Sequence, residues 1–147
     1  MHKVLLLGAV KIGQAIARLL HDTGDFDVLV GDVSAPARQR IERDVHVPTI
    51  DVQAGNIEAV AKLLKDRDTV ISACSFDVNV AIATAAQQAG TSYFDLTEDV
   101  ETTRGIKRVA AQAKPGQVFM PQCGLAPGFV SIAAHALVQQ FDKLDTL

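Results

Sequence analysis

Cysteine is scarce in this chain. Cys74 and Cys123 are the only two among 147 residues. They lie far apart and form no C-x-x-C pair, so a disulfide framework or a zinc site is not expected, and a reducing, cytoplasmic setting fits. The four histidines (His2, His21, His46 and His135) stand at no metal-ligand spacing with Cys, Asp or Glu, so no metal is expected. Long apolar runs are also absent. None is long enough to cross a bilayer, and His2 and Lys3 lead straight into a short strand-like run, so no membrane span and no signal peptide are expected. Charge of one sign is lacking too. The net charge is −3 with acids and bases mixed along the chain, which argues against a nucleic-acid or anionic-membrane surface. No repeat at solenoid periods and no low-complexity segment occurs.

What is present is apolar residue, 48% of the chain, in a length that suits one domain with a proper core. Its pattern alternates between two periods. Strand-like runs occupy Lys3–Gly8, Asp27–Asp32, His46–Ile50, Asp68–Cys74, Ser92–Leu96 and Gln117–Met120. Helical spacing lies between them. Ile12, Ala15, Ile16, Leu19 and Leu20 share one face of a helix that ends at Gly24. Ala35–Asp44 follows Ser34 as N-cap, and Asn56 caps a helix with Ile57, Val60, Ala61 and Leu64 on one side. Asp77–Ala89 is stopped by Gly90. Asp99–Ala113 turns Val100, Ile106, Val109, Ala110 and Ala113 inward. Phe129–Phe141 carries Ile132, Ala133, Ala136 and Leu137 on one side. Strands alternating with helices predict an α/β fold: a doubly wound parallel sheet of about six strands, order 3-2-1-4-5-6, with helices on both faces.

The stretch LGAVKIGQAIA follows the first strand. Gly8 and Gly13 stand at the first and third positions of the G-x-G-x-x-G turn, and the following helix N-terminus offers free N–H groups to a pyrophosphate. Asp32 closes the second strand, where an acid takes the adenine ribose hydroxyls and favours NAD over NADP. Arg38 or Arg40 would soften that preference, so NADP stays open. Val10 occupies the second glycine position. A branched side chain there is expected to weaken cofactor binding, unless the loop lets it lie along the helix. Ligands of such sheets bind beyond the carboxyl ends of the strands. Those ends carry Asp51-Val52, Ala73-Cys74-Ser75-Phe76, Asp95-Leu96-Thr97-Glu98 and Cys123 to Gly128. The plainer readings are buried thiols for Cys74 and Cys123, helix caps for Asp95, Thr97, Glu98 or Asp99, and core for Phe119 and Met120.

The runs VLLLGAVKIGQAIA, VGDV, VISACSF, GTSYFDLTEDVE and QCGLAPGFVSIAA together resemble the saccharopine dehydrogenase family, in particular its lysine 6-dehydrogenase-like members, over essentially the whole chain. The YFDLTED and CGLAPG segments are the specific ones. The resemblance implies an NAD(P)-dependent oxidoreductase that moves a hydride between the nitrogen-bearing carbon of an amino acid and the nicotinamide. Residue by residue, it implies that Gly8, Ala9, Val10, Lys11, Ile12 and Gly13 hold the pyrophosphate. Asp32 and Val33 would hold the ribose. Asp51 and Val52 would flank the adenine, and Ala73, Cys74 and Ser75 would line the nicotinamide side. Cys123, Gly124, Leu125, Ala126, Pro127 and Gly128 would face substrate, with Asp95 as a further substrate-side candidate; the catalytic residues are not identified. Ala126 stands where saccharopine reductases carry an acid, which shifts the reading towards the lysine-dehydrogenase-like branch. The resemblance also implies a small-molecule amino-acid substrate and a homodimer completed by a second domain. Residues 1–141 are expected to form the dinucleotide-binding domain and residues 142–147 to begin the substrate domain, so that this stretch alone would be inactive. Two other readings remain: a nucleotide-sensing regulatory domain without catalysis, and a scaffold that has lost its cofactor.

Overall fold

The computed structural model describes residues 1–143. Six strands, β1 (His2–Leu7), β2 (Phe26–Gly31), β3 (Thr49–Ile50), β4 (Thr69–Ser72), β5 (Ser92–Asp95) and β6 (Phe119–Met120), form one parallel sheet in the order β3-β2-β1-β4-β5-β6. Six helices connect and follow them: α1 (Lys11–Thr23), α2 (Ala35–Val45), α3 (Ile57–Leu64), α4 (Asn79–Ala89), α5 (Val100–Ala110) and α6 (Phe129–Val138). The architecture is the expected doubly wound one. β1 is central, and its side chains alternate between two cores. Leu5 and Leu7 join Val60, Leu64, Val70, Ile82 and Ile106 under α3, α4 and α5. Leu6 joins Ala17, Val28, Val30, Ile41 and Val45 under α1 and α2. Burial on both faces is why β1 is a continuous apolar run.

Local signals place the helix starts well. Ser34, Asn56 and Asp99 each accept a hydrogen bond from the amide three residues on, at Ala37, Ala59 and Thr102. Several boundaries and faces differ from expectation. α1 is rotated by one residue: Gly13, Ile16, Ala17 and Leu20 face the sheet, while Ile12, Ala15 and Leu19 are exposed. Small residues decide this, because the helix must approach β1 closely at Gly13. β3 starts at Thr49, since His46 is the left-handed cap of α2 and Pro48 has no N–H to give the ladder. β1, β4 and β5 stop before Gly8, Ala73 and Leu96. The segment before α4 begins as a short 3-10 turn, Phe76–Val78. α5 buries Thr102, Thr103, Gly105 and Ile106, while Val100 is exposed. Gly105 lets α4 in close, for a β-carbon there would stand 2.8 Å from the Val80 side chain. Met120 is half exposed. α6 buries no residue, and its apolar side chains Phe129, Ile132 and Leu137 face outward.

Candidate dinucleotide site

β1, β2 and β4 deliver their carboxyl ends to one cleft of about 340 Å³. Gly8 follows β1 at φ +100, a left-handed conformation that favours glycine. A β-carbon there would stand 2.8 Å from the Ala73 carbonyl oxygen, and one at Gly13 would run into the Gly8 carbonyl. The turn is therefore a close three-way packing of β1, β4 and α1. Val10 is different. Its backbone is extended, φ −84 and ψ −170, which any residue adopts. The residue is 62% exposed and lines the cleft. The first helical bond of α1 runs from Gln14 N–H to the Val10 carbonyl at 2.8 Å. The amides before it, at the start of the helix, are left for another acceptor.

Asp32 follows β2 and lines the cleft. Its Oδ2 accepts from the Ala9 amide at 2.7 Å and its Oδ1 from the Ser34 amide at 2.7 Å. Each carboxylate oxygen keeps a lone pair for a further donor. Gly31, just before it, clears the wall, since a β-carbon would meet the Val52 side chain at 2.6 Å and Leu7 at 2.8 Å.

Cleft-lining positions legible in the sequence are Gly8, Val10, Asp32, Val33, Val52, Ala73, Cys74 and Ser75. Ala9 lies buried behind them, and Gly13 is buried against Gly8. Lys11 and Ile12 are exposed at the helix start and outside the lining. Asp51 is outside it too, paired with Arg38. Sequence reasoning missed Gly31, Ala54, Asp77 and Val78. Gly31 carried a signal, a glycine directly before the strand-end acid. Ala54 and Val78 carried none.

The lining holds two carboxylates, Asp32 and Asp77, and no lysine or arginine. Cys74 registers this field. Burial first, and then Asp32 and Asp77, push its thiol up to about 11, against a hydrogen bond with Ser72. It is a neutral thiol at physiological pH and no nucleophile. The residues fit a dinucleotide: a tight glycine turn leading into a helix start, an anchored acid and a lining of Val33, Val52, Ala54 and Val78 for an adenine.

The YFDLTED and CGLAPG segments meet at the other end of the sheet. Asp95 is fully buried. The Tyr93 hydroxyl donates to its Oδ2 at 2.6 Å, and the amides of Thr97 and Gln122 donate to its Oδ1 at 2.9 and 3.1 Å. Its carbonyl accepts from the Cys123 amide at 2.8 Å. Asp95 thus holds the loop from beneath rather than projecting from it. Burial, with the Asp95 hydrogen bond and charge, raises the Tyr93 hydroxyl far above its ordinary value, so it stays a donor. The loop closes on itself through Gly124 and Gly128. It exposes Cys123, Leu125 and Ala126, while Gly124, Pro127 and Gly128 are half-buried. None of these lines the dinucleotide cleft. Burial and Asp95 raise the Cys123 thiol as well. Among the described residues no helix is long and apolar enough to cross a membrane.

Residues 4–120 match the family model described as the saccharopine dehydrogenase NADP binding domain. The chain is 28% identical to the carboxynorspermidine synthase of Vibrio cholerae, over 98% of this chain and 41% of that protein. It superposes on saccharopine dehydrogenase (L-Glu forming) from Saccharomyces cerevisiae with a TM-score of 0.81 and 21% identity, covering 95% of this chain and 31% of that one. A scyllo-inositol dehydrogenase from Lactobacillus casei, solved with NAD(H) and scyllo-inositol, gives 0.72 at 16% identity, covering 95% and 41%. The chain therefore spans less than half the length of each.

Proposed function

The chain belongs to the family of saccharopine dehydrogenase NADP-binding domains, and we propose that it is the NAD-preferring cofactor half of an oxidoreductase acting on amino-acid amines or imines. Its nucleotide-binding character follows from the family. The preference for NAD is carried by one observation: the cleft presents an anchored Asp32 and an exposed Asp77 with no cation in its lining. Two ribose hydroxyls can donate to Asp32, whereas a 2′-phosphate would face both carboxylates unmatched.

When bound, the nicotinamide ring supplies the hydride acceptor or donor for a carbon that alternates between C–N and C=N, the amine proton leaving to solvent or base. The chain's own part is to position. Gly8 and Gly13 let the turn between β1 and α1 pack tightly, the start of α1 takes the charge of the pyrophosphate, and Asp32 fixes the ribose. Asp95 and Tyr93 hold the 122–128 loop, with Cys123, Leu125 and Ala126 presented towards substrate. The amine substrate class is supported by the family and by the name of the Vibrio cholerae relative, carboxynorspermidine synthase. A further substrate domain, a homodimer and a reducing cytoplasmic setting complete the proposal. The outward apolar face of α6 supports the further domain, and the two free thiols support the setting.

The test is a fluorescence titration of this chain with NADH and NADPH. Tighter binding of NADH is expected, and equal or tighter binding of NADPH would reject the preference. The chain alone is expected to turn over neither lysine nor saccharopine, and measurable turnover by it would overturn the two-part reading.

A further inference from the structure

Arg38 stands under the rim of the cleft, between the ends of β2 and β3. One guanidinium nitrogen donates to the Asp32 carbonyl oxygen at 2.6 Å, and the other reaches Asp51 Oδ2 at 3.3 Å. The arginine side chain is 17% exposed and the aspartate 69%. Asp32 thus faces the cleft with its carboxylate and carries a guanidinium on its carbonyl. A fixed positive charge sits beside the ribose site yet lines none of it. The two bonds differ in kind. The shorter one goes to backbone, held in place by the ladder beside it, where the Asp32 amide donates to the Ile50 carbonyl at 3.2 Å. The longer one goes to an exposed side chain and is the one that can be exchanged for another anion.

A guanidinium fork is the side chain best matched to a phosphate. We propose that Asp51 is a specificity-determining residue: by pairing with Arg38 it withholds the guanidinium from the ribose site, so that a 2′-phosphate finds no partner there. The inference rests on the NAD-binding reading above and adds a second acid to it. Asp32 repels the 2′-phosphate directly, while Asp51 occupies the guanidinium that sits behind it.

Calorimetric titration of the chain with NADH and NADPH, and with their adenosine halves bearing or lacking the 2′-phosphate, tests this in four forms: wild type, Asp51→Asn, Arg38→Met and the double variant. Thermal melts establish that each is folded, and Asp51→Ala serves as a second lesion at the exposed partner. In Asp51→Asn the affinity ratio is expected to shift towards the 2′-phosphate ligand by about three- to fivefold, the scale of a partly exposed ion pair. The shift is expected to vanish when Arg38 is methionine. An unchanged ratio in Asp51→Asn, or the same shift with Arg38→Met, would overturn the proposal, because Asp51 would then act without Arg38. Wild type favouring NADPH would reject the NAD preference alone, and the Asp51–Arg38 cycle would still decide the inference. No binding of any of the four ligands would reject both.

Discussion

Val10 stands at the mouth of the cleft in extended backbone, so the conformation does not need glycine and only clearance is at stake. Val10→Gly is expected to bind NADH about five- to tenfold more tightly, the low end of the about 1–3 kcal/mol that overcrowding costs. Equal, tight binding by both forms in a fluorescence titration would show that the side chain already lies clear. Tyr93→Phe addresses the other end of the sheet. It leaves a buried Asp95 oxygen without its donor, and a loss of about 1–3 kcal/mol in urea denaturation is expected. At this scale the sequence is legible where a motif is local. Gly8, Gly13 and Asp32 could be placed because strand, turn and helix follow one another. The distant partners of Asp95 could not, because Gln122 and Cys123 arrive from another segment and donate through the backbone, which no side-chain pattern records.

The helices show the same limit. Caps at Ser34, Asn56 and Asp99 are readable because the acceptor and its amide lie three residues apart. Which face of a helix turns inward is less so. In α1 the large apolar residues suggested Ile12 and Leu19, yet Gly13 and Ala17 face the sheet, since close approach to β1 outweighs the burial of two larger side chains. The α5 cap makes a prediction of its own. The Thr102 amide, and then its hydroxyl, hold the Asp99 carboxyl below its ordinary 3.8. A depressed folded-state value means that the stabilisation is present above the unfolded value and is lost as pH falls through the folded one. The protection of the Thr102 and Thr103 amides, measured relative to their intrinsic exchange rates, is therefore expected to fall as pH drops below 3.8. Asp99→Asn should keep the cap with a protection that no longer changes with pH, while Asp99→Ala should show lower protection across the range.

At the scale of the whole molecule, the alternation of strands and helices made the sheet order readable, because right-handed crossovers leave few alternatives. The state of α6 was not readable. Ile132 and Leu137 have the spacing of a buried face, but among the described residues nothing covers them. The expectation for residues 142–147 falls largely on positions 144–147, which lie outside the described residues. An apolar helix without a cover makes a solution prediction. The chain is expected to self-associate with rising concentration in sedimentation experiments. A double substitution, Ile132→Lys with Leu137→Lys, is expected to reduce that association and leave the thermal melt nearly unchanged. Association identical in both forms would show that α6 is not the sticky surface.

The anchoring of Asp32 to the amides of Ala9 and Ser34 has a consequence for evolutionary change. On the proposed reading, the residue that discriminates against one dinucleotide is also the knot that ties two loops together. A single exchange of that acid for a neutral residue would alter cofactor choice and loosen the turn at once. If the proposed cofactor preference holds, drift from one cofactor to the other would be steered away from Asp32 and towards its neighbours, where a change in selectivity would leave the architecture intact.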